Sequence, residues 1–425
     1  MIARNRIRLA AGLALLFAAG GAGAQSSAPV PLTYADAVRQ TLASHPQWRR
    51  FALERDAADA RRELAGLKPG MELAVEAEDV LGTGAYSSSD SAPQLTVSLG
   101  SVFERAGKRR ARVEVQERSL SLLRNEQRVE ALDLLAETGR KFIDVAVAQE
   151  RVRLAALALD QADATVALVE PRVAAARSSR MELLNAQVRQ TGARVARSAA
   201  QRELVAAQVS LAALWGDTQG RPTVALELVS TPQPAGFEEL ESRLAAVPDL
   251  ARYATESALR EAEVRLARAQ AVADWRWSIG VRRYERTDDQ ALAFGLSMPL
   301  NGTRRAAPAI RESLANRAIV EQQADAARIA LRPVLFEQWQ TLQTLRERVI
   351  AIGAEDLPRA LEALEITERG YRIGRFPYRE LALAQAQLID LELQRLDAAA
   401  QYHLTQLEID RLTGAEISQL PETSP

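Results

Sequence analysis

Cysteine is absent from the chain, and histidine is limited to His45 and His403. The first absence excludes a disulfide framework, a thiolate nucleophile, an iron–sulfur cluster and a Cys-ligated zinc site. The second leaves too few imidazoles for histidine-based catalysis or a multi-His metal centre, so no catalytic residue, metal or cofactor is expected. Charge of one sign is lacking too: 54 Lys and Arg stand against 55 Asp and Glu, a formal net charge of −1. There is no basic surface for general nucleic-acid binding and no acidic tail. Aromatic residues make up 5% of the 425 residues while hydrophobic ones reach 47%, which argues against large compact cores. After the N-terminal segment no apolar run approaches the roughly 18 to 20 residues of a transmembrane helix, so later membrane contact would have to be through strands. These absences point away from an enzyme.

The N-terminus reads as a targeting segment. Arg4, Arg6 and Arg8 form a positive region, residues 9–19 are apolar, and Ala22-Gly23-Ala24 offers small residues for cleavage before Gln25. Residues 1–24 are thus expected to be a signal peptide and the mature chain to be exported. No cysteine follows the cleavage site, so no lipid anchor is expected there.

A search for internal repeats organises the remainder. Residues 173–183, beginning at Val173, lie on residues 371–381, beginning at Tyr371, at an offset of 198. The same register places Gln187 on Gln385, Leu211 on Ile409 and Gly216 on Gly414. With small gaps, Leu95–Leu99 falls on Phe294–Met298, Gly107 on Gly302 and Pro46 on Pro248. The chain reads as a duplicated unit: 25–216, a linker or equatorial segment at 217–236, 237–414, then a tail at 415–425.

Each unit runs helix, strand, strand, long helix, shorter helix. Met71, Leu73, Val75 and Ala77 alternate with Glu72, Ala74, Glu76 and Glu78; Trp275, Trp277, Ile279 and Val281 alternate with Arg276, Ser278, Gly280 and Arg282. Strands are expected at about 71–80, 93–102, 275–283 and 291–300. The period fits a small sheet with one wet face, and it equally fits barrel strands with one face to lipid and one to a polar lumen. In the second case Glu72, Glu76, Glu78, Arg276 and Arg282 face the lumen, and Trp275 and Trp277 suit an interfacial girdle. Four strands cannot close a barrel, since the smallest have about eight. Two copies would supply eight, and three would supply twelve.

From Lys108 to Glu170 there is no proline, and Val129, Leu132, Ala136, Gly139, Ile143 and Val147 form one stripe, which predicts a rod of about 95 Å. Its mate, residues 303–369, carries Leu335, Leu342, Leu345, Val349 and Ile352. Pro333 and Pro358 should kink or divide it, with 353–358 the expected break. Single helices are expected over 33–67 and 237–272, and the helices flanking each rod sum to about its length, so they can pack along it end to end.

Several short motifs occur in order: Leu32-Thr-Tyr-Ala-Asp-Ala-Val38 followed by Ser44-His45-Pro46, Gly107-Lys-Arg-Arg-Ala-Arg112 after the strand, Leu296-Ser-Met-Pro-Leu300, and Gly370-Tyr-Arg-Ile-Gly-Arg375 leading to Glu380. On these the sequence resembles the TolC-like outer-membrane efflux proteins, and more closely the outer-membrane components of heavy-metal cation efflux systems. The resemblance covers about residues 32–414. It implies a mainly α chain with a transmembrane β-barrel, in which a homotrimer closes twelve strands over a long α-helical periplasmic tunnel. The implied partners are a periplasmic adaptor, an inner-membrane pump of the resistance–nodulation–division (RND) type and outer-membrane lipid.

The resemblance also implies roles at the tip. Glu380 matches an acidic position of the periplasmic aperture and Glu182 is its repeat mate, with Arg375 and Arg379 as ion-pair partners. Gly370, Tyr371, Gly374 and Arg177 would meet the adaptor. Leu383 stands where the family places a second acid, which argues against a double ring. The plainer reading of Glu182 and Glu380 is a carboxylate favoured at a helix start by the dipole, and of Gly370 and Gly374 a tight turn. Two other classes share some features. A periplasmic adaptor would have a single helical hairpin between β-rich domains, and an exported coiled-coil scaffold would lack the paired alternating segments.

Overall fold

The computed structural model describes residues 31–80, 93–244, 247–285, 287–300 and 302–414. The expected signal peptide, the tail and the loop over 81–92 lie outside them. Thr33 caps α1 (Tyr34–Ser44) in a capping box with Asp36. One helix over 33–67 was the expectation, and the structure corrects it: His45 closes α1 and opens α2 (Pro46–Gly66). Pro46 has no amide to donate and keeps His45 extended (φ −63°, ψ 132°), where its Nδ1 accepts from the Gln47 amide at 3.2 Å. The second repeat breaks at the matching proline, giving α5 (Phe237–Leu244) and α6 (Pro248–Gln270), with Val247 extended before Pro248.

The strands are β1 (Glu72–Glu78), β2 (Gln94–Phe103), β3 (Trp275–Tyr284) and β4 (Asp289–Ser297). They form one antiparallel sheet in the order β1-β2-β3-β4, so β2 pairing with β3 joins the repeats and β1 and β4 are its edges. Helices leave one end of this sheet. The rod α3 (Lys108–Ala174) is 67 residues, about 100 Å. It packs on α1 and α2, on α4 (Arg180–Ala212) and, across the repeat seam, on α6 and α9 (Tyr378–Thr413). At the seam Gly139 lets Leu407 in; a Cβ there would lie 2.7 Å from the Leu407 side chain.

The mate of α3 is α7 (Gly302–Ala351), a π-helical segment at Ile352–Asp356 and α8 (Leu357–Arg372). The break falls in the expected place as a widened turn. Pro333, however, neither ends nor divides α7: Leu335 and Leu342 are wholly buried with Tyr402 and Ile409 of α9, and that packing outweighs one lost backbone bond.

Residues 217–236 cross the helices as a strap. Leu32 and Val224 form a parallel bridge, and the Gln149 side chain bonds both polar groups of the Val224 backbone. Trp339 donates to the Ala235 carbonyl, Tyr402 to that of Pro232, and His403 Nε2 to that of Leu228 at 2.9 Å. Burial lowers the pKa of His403 against an opposing bond to Leu228, and burial likewise lowers that of His45 against the charge of Glu137. The unfolded chain therefore takes up these protons first, so their contribution is complete above about 6.5 and is lost as pH falls through the lower folded values. Thermal melts are expected to show a lower Tm at pH 5.5 than at pH 7.5. His403→Gln should flatten part of that dependence; a variant with the full wild-type slope would refute the assignment.

Candidate functional site

Two features stand apart from the packed helices: a sheet with two unlike faces, and a helical tip at the far end of the rods. In the sheet, register aligns like with like. Leu73 pairs with Leu99, Val75 with Val97, Val97 with Val281, and Leu99 with Ile279, which meets Phe294 on β4. This face is apolar and exposed, Leu292 at 82% and Phe294 at 74%. A soluble protein does not leave so large a continuous patch uncovered. Phe103, Trp275 and Trp277 gather on it at the end nearest the helices.

The opposite face is polar and finely packed. Arg276 on β3 reaches across β2 to Glu72 (3.0 Å), and Arg282 reaches Glu78 (3.1 Å) while donating to Thr96 (3.0 Å). Glu76 shares this face and forms no ion pair among the described residues. Gly280 sits here because a Cβ would lie 2.5 Å from the Val97 carbonyl.

At the tip, two turns repeat atom for atom at the offset of 198. The Arg177 amide donates to the Arg172 carbonyl and the Arg375 amide to that of Gly370, both at 2.8 Å; Ala176 to Val173 and Gly374 to Tyr371 follow, both at 3.0 Å. Gly374 takes φ +81°, and its mate Ala176 takes φ +54° without being glycine. Ala176→Gly is accordingly expected to raise stability by about 1 kcal/mol by relieving the left-handed strain, read as a higher denaturation midpoint.

Tyr371 locks the turns together. Buried with Val169, Ala186, Tyr378 and Leu381, it donates its hydroxyl to Glu182 at 3.2 Å. The Arg172 guanidinium lies 4.8 Å from its ring and donates to the Arg372 carbonyl at 2.8 Å and to Ser178 at 3.2 Å. Burial, countered by Ser178 and reinforced by Glu182, raises the phenol's pKa, so it remains a donor at neutral pH.

Residues 37–217 match the family model described as outer membrane efflux protein. That stretch carries the family's sequence pattern. The match spans the first repeat, and relatives extend over both. The cobalt-zinc-cadmium resistance protein CzcC of Cupriavidus metallidurans is 27% identical over 392 residues, 90% of each chain. The nickel-cobalt-cadmium resistance protein NccC of Alcaligenes xylosoxydans xylosoxydans is 27% identical over 330 residues, 75% of this chain and 72% of that one. Among solved structures, CusC, studied for folding and transmembrane channel formation, superimposes with a TM-score of 0.74 at 15% identity, covering 91% of this chain and 92% of that one. The efflux-protein family comprises transport components, and the chain is an outer-membrane efflux channel.

Within this efflux protein, Glu72, Glu76, Glu78, Arg276 and Arg282 share one face of the sheet. Glu182 and Glu380 each lie in the first turn of the helix leaving a tip turn. Glu182 is held by Tyr371, whereas Glu380 among the described residues has its ion pair with the adjacent Arg379, at 3.3 Å. Arg375, expected as a partner of Glu380, forms no ion pair among the described residues and lies by the Phe376 ring. Its amide closes the turn, and that geometry aims the side chain outward. Arg172 is the tip residue that sequence reasoning misses, because its repeat mate is Gly370 and nothing in the pattern marks it. Among the described residues no group of three or more carboxylates or histidines is arranged to hold a metal ion, and no helix is long and apolar enough to cross a membrane.

Proposed function

We propose that three copies of this chain join β1 of one to β4 of the next, closing a twelve-stranded barrel in the outer membrane above a helical tunnel through the periplasm. The observation that carries this is the open-edged sheet whose exposed face is apolar and whose other face is ion-paired. Apolar side chains meet lipid, while Glu72, Glu76, Glu78, Arg276 and Arg282 line the lumen. Exposed stripes on the outer helices, such as Met181, Leu184, Val188 and Val195 of α4, supply the lateral contacts between copies.

In this reading the channel conducts without bond chemistry. It receives substrate from an inner-membrane pump through a periplasmic adaptor that meets the exposed Gly374 and Arg177; Gly370 and Tyr371, expected there too, are buried and can only support that surface from within. Threefold rings of Glu380 and Glu182 at the tunnel end would favour cations, with Arg379 holding Glu380 when closed. The cargo is heavy-metal cations, by likeness to the cobalt-zinc-cadmium and nickel-cobalt-cadmium resistance proteins; the channel passes them uncoordinated and leaves selection to the pump.

Deleting the gene in its host should lower the tolerated concentration of cobalt, zinc or cadmium salts, with restoration by the wild-type copy. Unchanged metal tolerance with lost tolerance of organic compounds would overturn the metal cargo and leave the channel. For the aperture, Glu380→Ala should raise single-channel conductance in planar bilayers and weaken cation selectivity; no change in either would remove Glu380 from the gate.

A further inference from the structure

All four strand–helix junctions lie at one end of the sheet, and that end is strongly basic. Residues 61–71, 104–112, 266–274 and 298–307 together hold eleven Lys and Arg against three Asp and Glu, in a chain whose overall charge is close to zero. The segments that join β1 to β2 and β3 to β4 in sequence, 79–93 and 285–288, hold four acids and one arginine. The asymmetry is therefore local to the helix side.

Internal pairing absorbs only part of it. Lys108 is buried against Asp274 at 2.7 Å, Arg112 forks onto Glu104, and Arg62 meets Asp59 at 3.4 Å. Arg105 lies over the Trp275 ring at 4.9 Å. Seven bases remain exposed without an ion pair among the described residues: Arg61, Lys68, Arg109, Arg110, Arg268, Arg304 and Arg305. The acids of these segments are largely spent, since Asp274 and Glu104 are held in the pairs above and only Glu63 is unpaired.

These bases are not on an ordinary solvated surface. Exposed Leu64, Leu67, Met71 and Leu300 are interleaved with them, immediately beyond the Phe103–Trp275 cluster where the apolar sheet face ends. Leucines and tryptophan beside unpaired arginines suit the level where acyl chains give way to phosphates. Free phosphate could use the arginines but not the leucines.

We propose that this collar binds the headgroups of anionic phospholipid in the periplasmic leaflet of the outer membrane, fixing the depth of the barrel and bracing the junction with the tunnel. The proposal rests on the channel reading above. Arginine bidentate to phosphate, with the leucine side chains among the first acyl carbons, is the recognising chemistry.

The test uses the detergent-solubilised full-length assembly, titrated with phosphatidylglycerol, phosphatidylethanolamine or inorganic phosphate, reading the temperature at which the gel-resistant oligomer dissociates. Phosphatidylglycerol should protect the wild type, with little effect of the other two. In the combined variant Arg109→Gln, Arg110→Gln, Arg304→Gln, Arg305→Gln the half-protecting concentration should rise at least about tenfold. Equal protection by phosphatidylethanolamine or by phosphate, or an unshifted variant, would overturn the proposal. Conductance in phosphatidylethanolamine bilayers is expected of both proteins. Its loss from the variant alone would assign the arginines to the pore and overturn the collar, and its absence from the wild type would overturn the channel reading itself.

Discussion

Ile279→Arg is expected to remove most of the protein from the outer membrane. Ile279 is central in β3, paired with Leu99 on one side and Phe294 on the other, and its side chain is exposed on the apolar face. A guanidinium at the midplane of a barrel's lipid face costs about 2–4 kcal/mol, and closure by three copies would incur it three times. Ala74→Arg brings the same charge to the opposite face of β1, flanked by Glu72 and Glu76, and should be tolerated. Heat-modifiable oligomer in the outer-membrane fraction is the readout, compared at equal expression. Loss in both variants, or in neither, would mean that the two faces do not differ in what they meet.

That pair of substitutions could have been designed from the sequence, and the reason is physical. In a strand, side chains alternate with period two whatever the neighbours, so the odd-numbered apolar positions from Leu73 to Leu99 declare their face without knowledge of the partner strand. The long rods were readable on similar grounds, because Leu132, Ala136, Gly139 and Ile143 hold one face over many turns. What could not be read was how prolines act in context. Pro46 and Pro248 each force their predecessor into extended backbone, whereas Pro333 sits in a helix that continues through it, with its neighbours Leu335 and Leu342 buried. The offset of 198 foretold two equivalent tip turns, and the backbone bonds of Arg177 and Arg375 repeat accordingly. The same offset hid the asymmetry at the tip: Arg172 and Gly370 are mates, and the arginine of one repeat lies over the Tyr371 that follows the glycine of the other. Contacts between repeats have no signature in either repeat alone.

Tyr371→Ala is expected to have the largest effect at the tip because it removes a contact of this kind. The ring is 2% exposed, and deleting a buried aromatic costs about 3–5 kcal/mol. Its loss also leaves Arg172 without the ring it lies over and Glu182 without its donor. Tyr371→Phe keeps the ring and loses only the hydroxyl bond, a cost of about 0.5–1.5 kcal/mol. The two variants therefore separate packing from hydrogen bonding. If Tyr371 joins the α3–α4 turn to the α8–α9 turn, the Ala variant should exchange amide hydrogens faster in both 172–182 and 370–380, while Phe should change chiefly the turn holding Glu182. Faster exchange confined to 370–380 would show that the turns move independently and that the tyrosine packs only within its own hairpin. Since both turns lie where the proposed aperture closes, joint loosening should also raise conductance in planar bilayers above the wild-type level. A loosened tip with unchanged conductance would separate the lock from the gate, leaving Tyr371 a structural contact and moving the closure to residues nearer the axis.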